Sequence, residues 1–179
     1  MAHNKPIDVH LRLWSDDDLP LLMRLMGDPA MTAYLGGPES AEKIRERHQG
    51  YCHNSVEEKD PIFAIIVEPE GIAVGSIGYW EKAWFDETVW ETGWSVLPEF
   101  QGYGIATKAA ALIVERARLE KKFRFLHAFP SFDNAASNAI CRKSGFLLRG
   151  MFNFEYPPGN LMCCNDWSFD LFADEPRIA

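Results

Sequence analysis

Apolar and polar positions alternate through Ile7-Asp8-Val9-His10-Leu11-Arg12-Leu13-Trp14, a period of two that predicts a first strand. Ser15 follows as a helix N-cap, with Asp16, Asp17 and Asp18 in the first turn, where the helix dipole favours acids. That helix is predicted to run to about Met26 and to stop at Gly27-Asp28-Pro29. A second helix starts after Pro38 and carries Ile44, His48 and Tyr51. Ile62 to Val67 and Ile72 to Trp80 read as paired strands around Glu68-Pro69-Glu70-Gly71, followed by a loop holding Trp84 and Phe85. Val89 to Val96 alternates again and is rich in β-branched and aromatic residues, so it predicts another strand. From 107 to 117 strong helix formers present an apolar stripe through 105, 109, 112, 113 and 117, broken at Arg116. Phe123 to Phe129 is a strand after this helix, which gives a strand–helix–strand unit with a right-handed crossover. Asn134 to Ser144 is a helix closed by Gly145, and Phe146–Phe152 with Cys163–Leu171 reads as a terminal antiparallel hairpin.

The 179 residues suit one domain with a sizeable core, and the 47% apolar content is that of a globular chain. No apolar run reaches the length of a membrane span, and residues 1–6 carry no apolar signal segment, so the expected location is cytoplasmic and no membrane partner is expected. Cysteines 52, 141, 163 and 164 lack metal-ligand spacing and read as free thiols of a reducing compartment. The five histidines form no ligand set, so no metal is expected. A net charge of −8 leaves no basic stripe for nucleic acid and steers cationic partners favourably.

Between the 89–96 strand and the next helix stands Gln101-Gly102-Tyr103-Gly104-Ile105-Ala106. A strand, a glycine-bearing turn and a helix start together make an anion site, because the first helical N–H groups are free and the dipole adds positive charge there. A phosphate or pyrophosphate is the natural occupant. The P-loop pattern fails, since Lys108 follows Thr107 rather than a glycine. The dinucleotide fingerprint is weak, because Thr107 stands at the third glycine position and Glu120 precedes the next strand.

What fits is the Gln/Arg-x-x-Gly-x-Gly/Ala pattern in the shortened form of residues 101–106, preceded by Trp94-Ser95-Val96-Leu97-Pro98. A second block, Asn134-Ala135-Ala136-Ser137-Asn138-Ala139-Ile140-Cys141-Arg142-Lys143-Ser144-Gly145-Phe146, matches an Asn-x-x-Ser-x-x-x-x-x-Lys-x-Gly-Phe signature. In order and spacing the two blocks resemble the GNAT superfamily of acetyl-CoA-dependent N-acetyltransferases, in the branch of the ribosomal-protein N-terminal acetyltransferases. The resemblance covers most of the chain. It implies an α/β fold over residues 1–179: a mixed, mostly antiparallel sheet with a splayed parallel strand pair that binds acetyl-CoA, flanked by helices. It also implies that Gln101, Gly102, Tyr103, Gly104, Ile105 and Ala106 hold the pyrophosphate, and that Val96 and Leu97 pair with the pantetheine arm like an added strand. Asn134, with Asn138 beside it, would contact the cofactor from the second helix.

Transfer needs a neutral amine, stabilisation of the oxyanion and an acid for the thiolate. The resemblance makes the Val96 N–H the oxyanion donor and Glu91 the base; the competing reading is that Glu91 pairs with a neighbouring cation. Relatives often carry a tyrosine acid where Cys141 stands, and Ser137 is the remaining candidate, competing with a role near the helix start. Trp84 and Phe85, with a turn at Tyr156-Pro157-Pro158-Gly159-Asn160, are candidates for the acceptor pocket, where aromatics hold an amine by cation–π contact. The expected reaction is acetyl transfer to a primary amine, either a protein N-terminal α-amine or a small molecule, with a homodimer among the family's habits. The alternatives are a CoA-responsive binding protein with a degenerate site, and transfer of a larger acyl group such as succinyl.

Overall fold

A computed structural model describes residues 7–155, 159 and 161–173. The alternation at the N-terminus becomes β1 (Asp8–Leu13), an edge strand paired antiparallel with β2 (Ile62–Glu68). Ser15 opens a short 3₁₀ turn at Asp16–Asp18, and α1 (Leu19–Gly27) begins only after it. Ser40 caps α2 (Ala41–Glu57) by accepting from the Lys43 N–H. Strand β3 (Ile72–Trp84) and β4 (Glu87–Val96) form one long hairpin with Phe85 and Asp86 at its tip. The expected loop around Trp84 is therefore strand: Trp84 pairs with Glu87 and only two residues turn. Then come α3 (Ile105–Glu120), β5 (Phe125–Ala128), α4 (Ala135–Lys143), β6 (Leu147–Glu155) and β7 (Leu161–Asp170).

Among the described residues seven strands order as β1-β2-β3-β4-β5-β7-β6, and β4–β5 is the single parallel pair. That pair is joined only at Trp90↔Leu126 and Glu91↔His127, so beyond Glu91 the two strands part. β6 and β7 pair as expected, but β7 lies inside the sheet, between β5 and β6. One face of the sheet packs Phe63, Ile77, Leu126 and Trp167 against the stripe Ile105, Ala109, Ile113 and Ala117 of α3. The other face buries Trp14, Ile62 and Ile66 with Leu22, Leu25 and Ile44 of α1 and α2. Each fully buried leucine or isoleucine contributes about 2 kcal/mol. Among the described residues no helix is long and apolar enough to cross a membrane.

Candidate active site

Where β4 and β5 part, a cleft of about 930 Å³ opens, walled by β4, the α3 and α4 N-termini and the ends of β5, β6 and β7. One end is the 101–106 turn. Gly102 (φ 81°) and Gly104 (φ 78°) are both left-handed, a conformation that costs any L side chain. A Cβ at either would meet nothing within 4 Å, so it is backbone conformation and not space that requires glycine. Gly104 caps α3 without any side-chain bond, and the first helical bond runs from Lys108 to the Gly104 carbonyl. Among the described residues no partner occupies the N–H groups of residues 102–107. The Gln101 amide donates to the Val96 carbonyl at 2.8 Å, which fixes the turn to the strand end.

The free edge of β4 forms the floor. Leu97 N–H donates to the Val74 carbonyl, so the antiparallel alternation turns residues 97, 95 and 93 toward β3. The backbone groups of Trp94 and Val96 then face the split, while Thr92, turned the same way, still stands at the junction with β5. Val96 lines the cleft together with Gln101, Gly102, Gly104, Ile105 and Ala106. Asn134 and Ser137 line it from α4. Asn134 is the N-cap of that helix, accepting from the Ser137 N–H at 3.0 Å. The Ser137 hydroxyl has no hydrogen-bond partner among the described residues.

Elsewhere the walls change character. Glu91 and Glu155 supply carboxylates and Trp80, Phe129, Phe154 and Met162 apolar surface, while Met31 stands against Gln101, its Sδ 3.6 Å from the amide nitrogen, and the Tyr34 hydroxyl reaches the Asp133 carbonyl. Glu91 forms an ion pair with Lys82 Nζ at 2.9 Å, and both side chains are half-buried. Lys82 Nζ also lies 5.2 Å from the Phe129 ring centre and 5.4 Å from that of Phe154. Glu155 is exposed and accepts from the Gly159 N–H at 2.5 Å. At the mouth, Arg47 is clamped by Glu39, with Nε to Oε2 at 3.0 Å, and this bonding holds its pKa above the ordinary value.

The side chains of four expected residues stand elsewhere. Leu97 is buried in the core under α1, its N–H spent on Val74 and its carbonyl on Phe100, so only Val96 of the pair faces the cleft. The Tyr103 side chain points outward, 57% exposed, but its backbone N–H, the group expected to serve, stays in the cradle. Trp84 and Phe85 pack with each other and with Phe152; the Trp84 indole donates to Asp166 at 3.1 Å, and Asp166 in turn holds His127 Nδ1 at 2.6 Å. Neither lines the cleft.

Asn138 is also not at the cleft. It is buried, and its amide nitrogen donates to the Ser131 and Asn134 carbonyls at 2.9 and 2.8 Å. Its oxygen accepts from Asn165 and the Trp167 indole at 2.7 and 2.8 Å. Cys141 is fully buried, and burial pushes its thiol up to about 12, so it is a core residue. Residues 1–6 and, of the turn at 156–160, all but Gly159 lie outside the described residues. Lys82, Phe129, Phe154 and Glu155 carried no motif that singled them out.

Among the described residues, one trio of potential metal ligands comes together: Asp16, His48 and Cys52. The Trp14 indole donates to His48 Nδ1 at 3.1 Å, which places the ring proton on Nε2, the nitrogen 3.7 Å from Cys52 Sγ. Burial and Asp16 push the Cys52 thiol up to about 11. A protonated nitrogen and a protonated thiol are poor metal ligands.

Residues 8–147 match the family model described as the acetyltransferase (GNAT) domain. An uncharacterised N-acetyltransferase, YnaD, of Bacillus subtilis (strain 168) is 30% identical over 98 residues, which span 55% of this chain and 56% of that protein. The match thus covers little more than half the length of that relative. Among solved structures, an acetyltransferase (GNAT family) from Bacillus anthracis superposes with a TM-score of 0.78 at 22% identity, over 93% of this chain and 97% of its own. RimL, a ribosomal L7/L12 α-N-protein acetyltransferase in complex with coenzyme A, superposes with a TM-score of 0.77 at 22% identity, over 93% and 96% of the two chains. These likenesses show the fold.

Proposed function

This chain belongs to the GNAT acetyltransferase family, and from that premise we propose that it transfers an acetyl group from acetyl-CoA to a primary amine. One observation carries the reading: the unpartnered N–H cradle at 102–107, the free edge of β4 and the carboxylates Glu91 and Glu155 succeed one another along a single cleft. The residues fit an acyl-CoA. An anion cradle at a helix N-terminus suits the pyrophosphate of the cofactor. The open backbone of Trp94 and the free N–H of Val96 suit the amides of its arm. Gln101 to Ala106 and Asn134 would hold the cofactor, which supplies the activated thioester.

The remaining work falls to the chain's own side chains. Glu91 takes the proton of the acceptor ammonium, directly or through water, and its own orientation is fixed by Lys82. Ser137, which faces the cleft with an unengaged hydroxyl, returns a proton to the leaving thiolate. Glu155 lines the same cleft and is the second candidate base, favoured by the commitment of Glu91 to an ion pair. The acceptor is a protein N-terminal α-amine or a small amine whose ammonium meets carboxylates and whose body meets the apolar walls. A second reading, a CoA-responsive binding protein, draws on Cys141: its buried, protonated thiol offers no acid at that helix position.

Calorimetric titration with acetyl-CoA, followed by thiol-release assays over peptides, polyamines and amino acids, tests the proposal. Saturable binding with turnover on one amine class is the expected result; binding without turnover on any amine favours the second reading. Glu91→Gln is expected to cut turnover on the order of a hundredfold with acetyl-CoA affinity unchanged. Full turnover in that variant, with loss in Glu155→Gln, transfers the role of base to Glu155.

A further inference from the structure

We propose that Lys82 is a self-acetylation site, an inference that rests on the acetyltransferase reading above. Lys82 is a primary amine that already lines the cleft holding the cofactor cradle. Its nitrogen sits 2.9 Å from Oε2 of Glu91. The rings of Phe129 and Phe154 flank it at 5.2 and 5.4 Å, and both rings line the cleft as well. Carboxylate and aromatic faces around one ammonium are the elements of an amine-recognition box, and here a side chain of the chain itself fills it.

Lys143 also lines the cleft, yet it has no carboxylate within ion-pairing distance among the described residues. Of the two lysines, Lys82 is therefore the one with a proton acceptor in direct reach. Lys82 is also held in place: β3 continues as strand through Trp84, so its stem is anchored in the ladder opposite Val89. Pre-organisation of nucleophile and proton acceptor removes most of the entropic cost of bringing them together.

The step balances without further reagents. The Lys82 ammonium passes one proton to Glu91, and its lone pair attacks the carbonyl carbon of the acyl thioester. A C–N bond forms and the C–S bond breaks. The leaving thiolate takes the second nitrogen proton and departs as free CoA, while Glu91 returns its proton to solvent. The product amide carries no charge, so Glu91 loses its ion pair and the cleft gains net negative charge toward an incoming ammonium.

Incubating the purified protein with acetyl-CoA, followed by intact-mass measurement and peptide mapping, tests this. The expected result is one added acetyl group at Lys82, with a rate constant independent of protein concentration, and no modification at that position in Lys82→Arg. Glu91→Gln is expected to slow it on the order of a hundredfold, as loss of a general base does. The wild-type measurement decides by itself should that variant misfold. Protein that binds acetyl-CoA and acetylates an added amine, but leaves Lys82 unmodified or modifies it no faster than Lys143, overturns this inference alone. Failure to bind acetyl-CoA overturns the functional reading and this inference together.

Discussion

Replacing Asn138 by alanine separates a scaffold residue from a cofactor contact. The side chain makes four good hydrogen bonds from a buried position. Truncation leaves the Trp167 indole N–H without an acceptor in a residue that is 5% exposed, at about 2 kcal/mol for an orphaned buried donor. The Ser131 carbonyl keeps a bond from the Asn134 N–H, and the Asn134 carbonyl keeps one from the Asn138 N–H. Each therefore loses only a net bond, about 0.5 kcal/mol. Asn165 is half-buried and can turn to water. The total is about 3 kcal/mol, or a fall in Tm of roughly 6–12 °C for a chain of this size. Chemical denaturation and thermal melting measure the loss, and calorimetry at a temperature where the variant is folded measures acetyl-CoA affinity. The expected pattern is lost stability with affinity within about twofold of wild type, well under the 1.4 kcal/mol of a tenfold change. Unchanged stability with a tenfold loss of affinity refutes the assignment of Asn138 to the scaffold.

Two further outcomes follow from the geometry. In Gly75→Ala the new Cβ would lie 2.2 Å from the Ser95 carbonyl oxygen and 3.1 Å from Val96 Cα, so β4 must shift along the cleft floor. A loss of about 1–3 kcal/mol in stability with weaker acetyl-CoA binding is expected, and unaltered calorimetric affinity would contradict the role given to that strand edge. Burial pushes the Asp18 carboxyl up, but bonds from the Arg12 guanidinium and from the Ser15 amide and hydroxyl outweigh this and hold it below its ordinary value. A depressed folded-state pKa gives stability that is present above the unfolded value and lost as pH falls through the folded one. Asp18→Asn should therefore cost about 1–2 kcal/mol at pH 7, the half-exposed Arg12 keeping the figure low, and the gap should close below about pH 4 in denaturation curves taken across pH. A gap that persists at low pH would show that the ion pair is not its source.

The cradle was legible because its signal is local: two glycines that must take positive φ, between an alternating strand and an apolar-striped helix. The strands and helices that bear it were legible for the same reason. The far end of β3 was not, because Glu81-Lys82-Ala83-Trp84 lacks apolar alternation and its turn, Phe85-Asp86, holds no glycine or asparagine. Losing that stretch to a loop also hid Lys82, whose meaning comes from Glu91 across the hairpin and from Phe129 and Phe154 beyond it. Asn138 failed differently. Its motif was read correctly as a helix start, but its partners Asn165 and Trp167 lie on a strand 27 and 29 residues on, and long-range pairing leaves no trace in local pattern.

The position of β7 sets an order of events in the life of the chain. β5 has no antiparallel neighbour until residues up to Asp170 exist, because β7 is the strand that fills the gap between it and β6. A chain emerging from the ribosome can close the β1–β4 meander and dock α3 while Phe154 and Met162, part of the cleft wall, are still unmade. Pairing strands so far apart in sequence carries a loop-closure cost that slows folding. The 101–106 turn and the β4 edge can therefore form before the last wall of the cleft, so a nascent chain holds the helix-start cradle while its cleft is still open on the β6–β7 side.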